Sequence, residues 1–377
     1  MNFDFSDDQK LLRDQARKFL TDKCDRSIVR TVLEDESNYY SNDLWKSISE
    51  MGWTGTAIPE EYGGLGLGML ELCIIAEELG RSLAPTPFSS SIYLFAEFIK
   101  LYGNEEQKTK ILPSIASGEK IGTFALSETN GTPKPSNIST EENGLKLIGT
   151  KSPVSDGQSA DYIIVAANSD SNKDTNSLSL YIVDKSQEGV EVSELETIDP
   201  TRPACTVNLK GAICEMLGEI GNGWNMIENI FNRAAVLFSF EQVGGAQVSL
   251  DEAKKYSLER FAFGRPIGSF QSLKHRMADM YVKIELARSN AYYGAWALST
   301  DSAELPVAAA GARVSASDAF NYSSQENIQI HGGVGFTWEY DCHLFYRRSK
   351  LLSLNIGSQR QWKENLISNL EKRNILQ

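Results

Sequence analysis

Two arginines flank a Phe-Gly pair in the segment LERFAFGRPIGSFQSLKHRMADM (258–280), with Gln271 close behind them. Arg260 and Arg265 stand at the corner between two long helical patterns, and taken alone they read as surface guanidinium groups at a turn. A second segment, HGGVG (331–335), follows a helical run ending in NIQI, and its paired glycines permit close backbone approach by another group. A third, GGLGLG (63–68), has the glycine density of a phosphate-binding loop. It follows IPEEY and precedes MLELCII with no run of buried parallel strands before it, so it reads as a turn. One carboxylate is conspicuous for its place. Ile227, Phe231, Ala234, Phe238, Glu241, Gly245 and Val248 recur at three- and four-residue spacing, which sets Glu241 on an apolar stripe. A carboxylate there must be paired, for instance with a neighbouring helix, Arg233 or Arg260, or be protonated with a raised pKa, or do chemistry.

The elements that must position these groups change character along the chain. Residues 1–117 read as successive helices, among them DDQKLLRDQARKFL, DLWKSISEMGW, MLELCIIAEELGRSL and SSIYLFAEFIKLYG, with Gly and Pro at the junctions. Residues 118–220 switch to short runs rich in Val, Ile, Leu and Tyr (LKLIGTKSPV, ADYIIVAA, SLSLYIVD, GVEVSEL, CTVNLKGAI), a small β-domain in which NSDSNKDTNS (168–177) is a polar hairpin tip. Helical periodicity returns over 221–377. The expected fold is therefore α+β and mostly α, in three parts: an N-terminal helical domain, a central β-domain and a C-terminal helical block. Strands and helices do not alternate, which argues against a doubly wound nucleotide-binding fold.

Composition narrows the partners. The chain has 377 residues, with 37 Lys and Arg against 50 Asp and Glu, a net charge of 37 − 50 = −13. Nucleic acid and anionic membrane surfaces are poor partners for it, and a polyanionic ligand must find local donors. The five scattered cysteines, with no CxxC pair and only three histidines, read as reduced packing residues, and no metal site is expected. The first twenty residues carry acids at once and lack an apolar core, and no uninterrupted apolar stretch reaches eighteen residues, so a cytoplasmic protein is expected.

Five segments in order, AIPEEYGGLG, EQKTKILPSIASGE, FALSE (124–128), RFAFGRPIGSFQ and QIHGGVGF, resemble the acyl-CoA dehydrogenase family over essentially the whole chain. The resemblance implies a central β-barrel-like domain, a C-terminal four-helix bundle, FAD as cofactor, an acyl-CoA substrate and an electron-acceptor flavoprotein. It also implies a homo- or hetero-oligomer in which one subunit helps to hold another's FAD. Carried over position by position, FALSE nominates Phe124, Leu126 and Ser127 as flavin contacts, and TKSPVSDG nominates Val154 and Ser155. The corner nominates Arg260, Phe263 and Gln271 toward a neighbouring subunit's FAD, and the later segments nominate Gln329, Gly333 and Ser358. A diphosphate suits a guanidinium fork and close backbone donors.

The reaction so implied removes an α-proton from a thioester with a carboxylate base while the β-hydrogen leaves as hydride. At the family's usual base position this chain has Asn355-Ile356-Gly357-Ser358, and at the alternative position it has Ala234. Glu241 is then the tentative relocated base. Pro153 stands where many relatives carry a Trp, compatible with a strand edge but not with stacking. The loop ETNGTPKPSN (128–137) predicts a reshaped entrance. The pattern resembles the subgroup acting on bulky or steroid-type acyl-CoAs, in which two different subunits assemble and one lacks a complete site. Two further readings follow: a catalytically silent subunit completing a partner's FAD site, and a flavin monooxygenase, for which His331 and His343 are the nearby candidates.

Overall fold

The computed structural model describes residues 5–35, 38–128, 132–169 and 177–375. Two compact units emerge, one comprising Met1–Val29, Met69–Ala84 and Ala235–Gln377, the other Arg30–Gly68 and Pro85–Ala234. Most of the polar tip predicted at 168–177 lies outside the described residues.

The first unit is helical. It contains α1 (Asp7–Lys23), the start of α2 (Arg26–Glu34), α4 (Met69–Ser82), most of α7 (Gly223–Glu259), α8 (Gln271–Ser299), α9 (Leu305–His331), α10 (Cys342–Leu352) and α11 (Gln359–Ile375). A capping box starts α1: the Ser6 hydroxyl accepts from the Gln9 N–H, and the Gln9 side chain accepts from the Ser6 N–H. Helix α4 approaches α7 so closely that a Cβ on Gly80 would overlap the Glu241 carbonyl, and one on Gly244 the Glu77 carbonyl. Two glycines on facing helices therefore fix the distance at which the apolar stripe of α7 is covered. Residues Gly332–Phe336 form a 3₁₀ turn at the end of α9, where Gly332 leaves the helix at φ +63°.

The second unit carries α3 (Asn42–Glu50), a π-helical segment Ser89–Ala96 running into α5 (Glu97–Tyr102), α6 (Glu105–Ala116) and the sheet. Its strands are β1 (Gly122–Ala125), β2 (Glu141–Glu142), β3 (Lys146–Ser155), β4 (Tyr162–Asn168), β5 (Leu178–Asp184), β6 (Val190–Leu195), β7 (Ala204–Ile213) and β8 (Glu215–Leu217). They run in the order β6-β7-β3-β2-β4-β5-β8, with β1 parallel to β4. Period-two alternation sends Ile163, Val165 and Ala167 of β4, Tyr181 and Val183 of β5, and Cys205, Val207 and Leu209 of β7 into one core. The glycine run 63–68 is a turn. Leu65 and Gly66 donate their N–H groups to the carbonyls of Gly55 and Ile58, and a Cβ on Gly64 would overlap the Ile58 carbonyl, so those amides are not aimed at a phosphate.

Replacing Gly244 by Ala forces α4 and α7 apart. The expected cost is about 1–3 kcal/mol, the range for overpacking a filled core, read as a lower urea midpoint with an unchanged slope.

Candidate functional site

The β-domain candidates are brought together within the second unit. Strand β1 ends at Ala125, so FALSE is a strand only at its start, and Leu126–Glu128 continue as an extended exit. That exit lies beside β3: the Ser152 N–H donates to the Ser127 carbonyl at 2.8 Å, and the Thr123 hydroxyl donates to the Ser155 carbonyl at 2.6 Å. Phe124 is buried between Phe98 at 4.8 Å and Phe231 at 6.0 Å. The Ser127 N–H finds no acceptor among the described residues, an open donor on a half-buried edge. Pro153 lies within β3 where the register with β7 shifts between Lys151 and Val154, and this irregularity accommodates a residue without an N–H.

Two ionic groups behind this edge escaped the sequence reading. Lys151 is fully buried, its ammonium 2.6 Å from Glu128 and 3.3 Å from the Leu126 carbonyl. Glu128 also accepts from the N–H and hydroxyl groups of both Ser139 and Thr140, which closes the 128–140 loop at its base. Burial pushes Lys151 down to about 8 against the opposing pull of Glu128. Burial would raise Glu128, but Lys151 and the hydroxyls prevail and bring it down to about 2. The signal was present, since Leu147 and Lys151 share the inward parity of β3. At the far end of β3, Asp156 accepts from the Ser90 hydroxyl at 2.6 Å and pairs with Arg202 at 3.3 Å, all three buried.

The helical candidates belong to the first unit. Strands β9 (Phe261–Ala262) and β10 (Arg265–Pro266) form a two-residue hairpin whose tip, Phe263-Gly264, has φ +53° and +77°. Such a tip favours Asn-Gly, yet the chain places a Phe there with its ring 95% exposed. Arg260 and Arg265 are exposed, the latter stacked on Phe270 at 4.1 Å, and α8 opens at Gln271 with no side-chain cap. The corner is tied to the glycine turn. Tyr256 stacks on His331 at 4.2 Å, Glu252 accepts from Asn327 at 3.1 Å, and Arg276 pairs with Glu326 at 2.6 Å. Gln329 and Gly333 are exposed beside it, and a Cβ on Gly333 would meet open space. His331 is buried with Nδ1 on the Asn327 carbonyl, and His343 stacks on Trp338 at 4.8 Å, so both rings have structural partners. Guanidinium groups, open helix-terminal amides and a projecting aromatic ring suit a flavin dinucleotide.

The turn after α10 holds Ile356 at φ +54°, a conformation that costs a β-branched residue roughly 1–2 kcal/mol. Arg313 supports it: fully buried, it donates to the carbonyls of Leu352 and of Asn355 (2.8 Å), and to the Gln242 amide oxygen at 2.6 Å. The Ile356 N–H has no acceptor among the described residues, whereas the Ser358 hydroxyl is engaged with the Gln361 side chain as the cap of α11. The Ser-x-x-Gln spacing of that cap was legible in the sequence. Glu241 is buried and pairs with Arg348 on α10 at 3.8 Å. Arg233 pairs with Glu97 at 3.0 Å within the second unit, where Ala234 is also buried. All five cysteines are free and buried, and burial pushes the Cys205 thiol up to about 12. Among the described residues there is no metal-ligating cluster and no helix long and apolar enough to cross a membrane.

Residues 6–119 match the family model for the acyl-CoA dehydrogenase N-terminal domain and residues 221–366 that for the C-terminal domain. The chain is 32% identical over 357 residues to acyl-CoA dehydrogenase IpdE2 of Mycolicibacterium smegmatis, covering 94% of this chain and 96% of that protein. Among solved structures it is similar to butyryl-CoA dehydrogenase of Megasphaera elsdenii, at TM-score 0.90 and 26% identity over 98% of this chain and all of that one. It is also similar to the ChsE4-ChsE5 complex of Mycobacterium tuberculosis, at TM-score 0.88 and 25% identity over 98% and 99% of the two chains.

Two outcomes are expected here. Arg348→Met removes the ion-pair partner of the buried Glu241 and costs about 3–5 kcal/mol in chemical denaturation. For Glu128 the folded pKa lies below the unfolded one, so its stabilisation is complete above about 4.5 and is lost as pH falls toward 2. The stability gap between wild type and Glu128→Gln should accordingly close over that window.

Proposed function

The chain belongs to the acyl-CoA dehydrogenase family, and we propose that it is an oxidoreductase subunit whose own acyl-CoA site lacks a general base and is completed in a heteromer. Members of the family are FAD-dependent flavoproteins, and the bound flavin supplies the hydride acceptor for α,β-dehydrogenation. In this reading Ser127, with Leu126, Phe124, Val154 and Ser155 around it, holds the flavin ring. Arg260, Phe263, Gln271, Gln329 and Gly333 reach toward the FAD of a second subunit. The exposed Phe263 at a strained hairpin tip supports that assignment, because a monomer gains nothing from holding an aromatic ring in water.

The observation that carries the proposal is the state of the turn at Ile356 and of Glu241. The turn at Ile356 is kept in a costly conformation by Arg313, with its N–H open to a thioester oxygen, yet the side chain accepts no proton. Glu241 is buried against Arg348, and taking up a proton as a base would remove the charge that offsets that guanidinium. An oxyanion donor without a base binds and polarises an acyl thioester but does not remove its α-proton. The similarity to the ChsE4-ChsE5 complex supports a heteromer, and the reshaped loop 128–137 is the sequence's own pointer to a bulky acyl group. An electron-acceptor flavoprotein is the expected oxidant of the reduced subunit.

The test is anaerobic mixing of the FAD-loaded chain with butyryl-CoA, glutaryl-CoA and a steroid side-chain CoA thioester, followed by flavin bleaching. Wild type alone should bleach with none of them, and Ile356→Glu should gain bleaching by at least tenfold with one. Co-expression with the product of an adjacent acyl-CoA dehydrogenase-like gene should give a mixed oligomer by native mass measurement. Bleaching by the wild-type homomer that Glu241→Gln abolishes would refute the proposal.

A further inference from the structure

The buried ammonium of Lys151 lies directly behind a backbone donor, the Ser127 N–H, that has no acceptor among the described residues. Its Nζ donates to the Leu126 carbonyl at 3.3 Å, and that carbonyl belongs to the same peptide unit as the Ser127 N–H. The carbonyl face of the unit is thus spoken for by a cation, while its amide face has no acceptor among the described residues. The counter-charge lies on the other side: Glu128 meets Nζ at 2.6 Å and is held there by the amides and hydroxyls of Ser139 and Thr140. Lys151 and Glu128 therefore form a fixed dipole whose positive end rests on the Leu126–Ser127 peptide. The Ser152 N–H on the Ser127 carbonyl and the Thr123 hydroxyl on the Ser155 carbonyl keep that peptide in place.

We propose that Lys151 sets the reduction potential of the flavin by polarising the Leu126–Ser127 peptide, so that the Ser127 N–H becomes a stronger donor to the electron-rich reduced ring than to the oxidised one. A cation on a carbonyl oxygen draws electron density through the amide and strengthens the hydrogen bond its N–H donates. Charge-assisted donors favour the more negative partner, and the dry surroundings of Nζ leave its field unscreened. The couple concerned takes up two electrons and one proton to give the anionic reduced flavin, whichever donor supplies the electrons. The role is one of tuning, since Lys151 acts through Ser127 and not on substrate, and it rests on the assignment of Ser127 to the flavin ring.

The experiment reconstitutes the full-length chain with FAD, measures FAD affinity by quenching of flavin fluorescence, and measures the midpoint potential by reduction with dithionite alongside a reference dye. Lys151→Met should weaken binding of reduced relative to oxidised FAD about tenfold, equivalent to about 30 mV for a two-electron couple. Lys151→Arg should restore most of the difference. Glu128→Gln removes the carboxylate that holds Nζ in its charged form, so at neutral pH the potential should fall together with that of Lys151→Met. A packing role alone would leave the potential unshifted or leave Lys151→Arg as low as Lys151→Met, and either result overturns the proposal. Should Lys151→Met fail to fold, the Glu128→Gln shift decides: downward supports the proposal, upward or absent refutes it. Wild type that binds no FAD refutes the flavin assignment together with the proposal, whereas wild type that binds FAD with Lys151→Met unshifted refutes the proposal alone.

Discussion

Lys151 keeps its ammonium out of water only because Glu128 meets it at 2.6 Å, and the same requirement recurs at other charges this chain buries. Arg202 with Asp156, Arg233 with Glu97, and Arg348 with Glu241 are each enclosed and each paired. An isolated ion in such places costs several kcal/mol, so every pair dictates which elements must come together before either member can be buried. Lys151 and Glu128 bind β3 to the exit of β1. Arg202 and Asp156 join the end of β3 to the segment before β7 and, through Ser89 and Ser90, to the π-helical turn. The edge that carries Ser127 is what remains between two such anchors.

The helical unit obeys the same constraint with a different consequence. Gly80 and Gly244 let α4 and α7 touch backbone to backbone, which seals the stripe carrying Glu241. Once sealed, the carboxylate needs a cation, and α10 supplies Arg348. Arg313, one helix away, uses its fork on the carbonyls of the turn that follows α10 and so holds Ile356 left-handed. The left-handed geometry of the turn at Ile356 is thus maintained by packing, independent of which side chain stands there.

Surface charge follows the same logic from outside. A chain of net charge −13 concentrates exposed Lys254, Lys255, Arg260, Arg265, Lys274 and Arg276 around one helical corner. The acidic remainder limits non-specific anion binding, and the corner offers a diphosphate a local field. The 3₁₀ turn after α9 and the uncapped start of α8 add backbone N–H groups to the side-chain donors there.

Periodicity alone located the strands at 146–155, 162–168, 178–184, 190–195 and 204–213 to within two residues, and the long helices nearly as well, because side-chain alternation is a local property of the backbone. The helix Arg26–Glu34 was missed, its pattern being too short to stand out from its neighbours. Family resemblance likewise rested on ordered segments such as FALSE and HGGVG, which are legible without coordinates. What the sequence could not determine was partnership. Nothing local says that Glu241 pairs with Arg348, 107 positions away; nor that Lys151 bonds the Leu126 carbonyl, or that Arg313 reaches Asn355. Pairing energies depend on distance and burial in three dimensions, and those exist only after the helices and strands have packed.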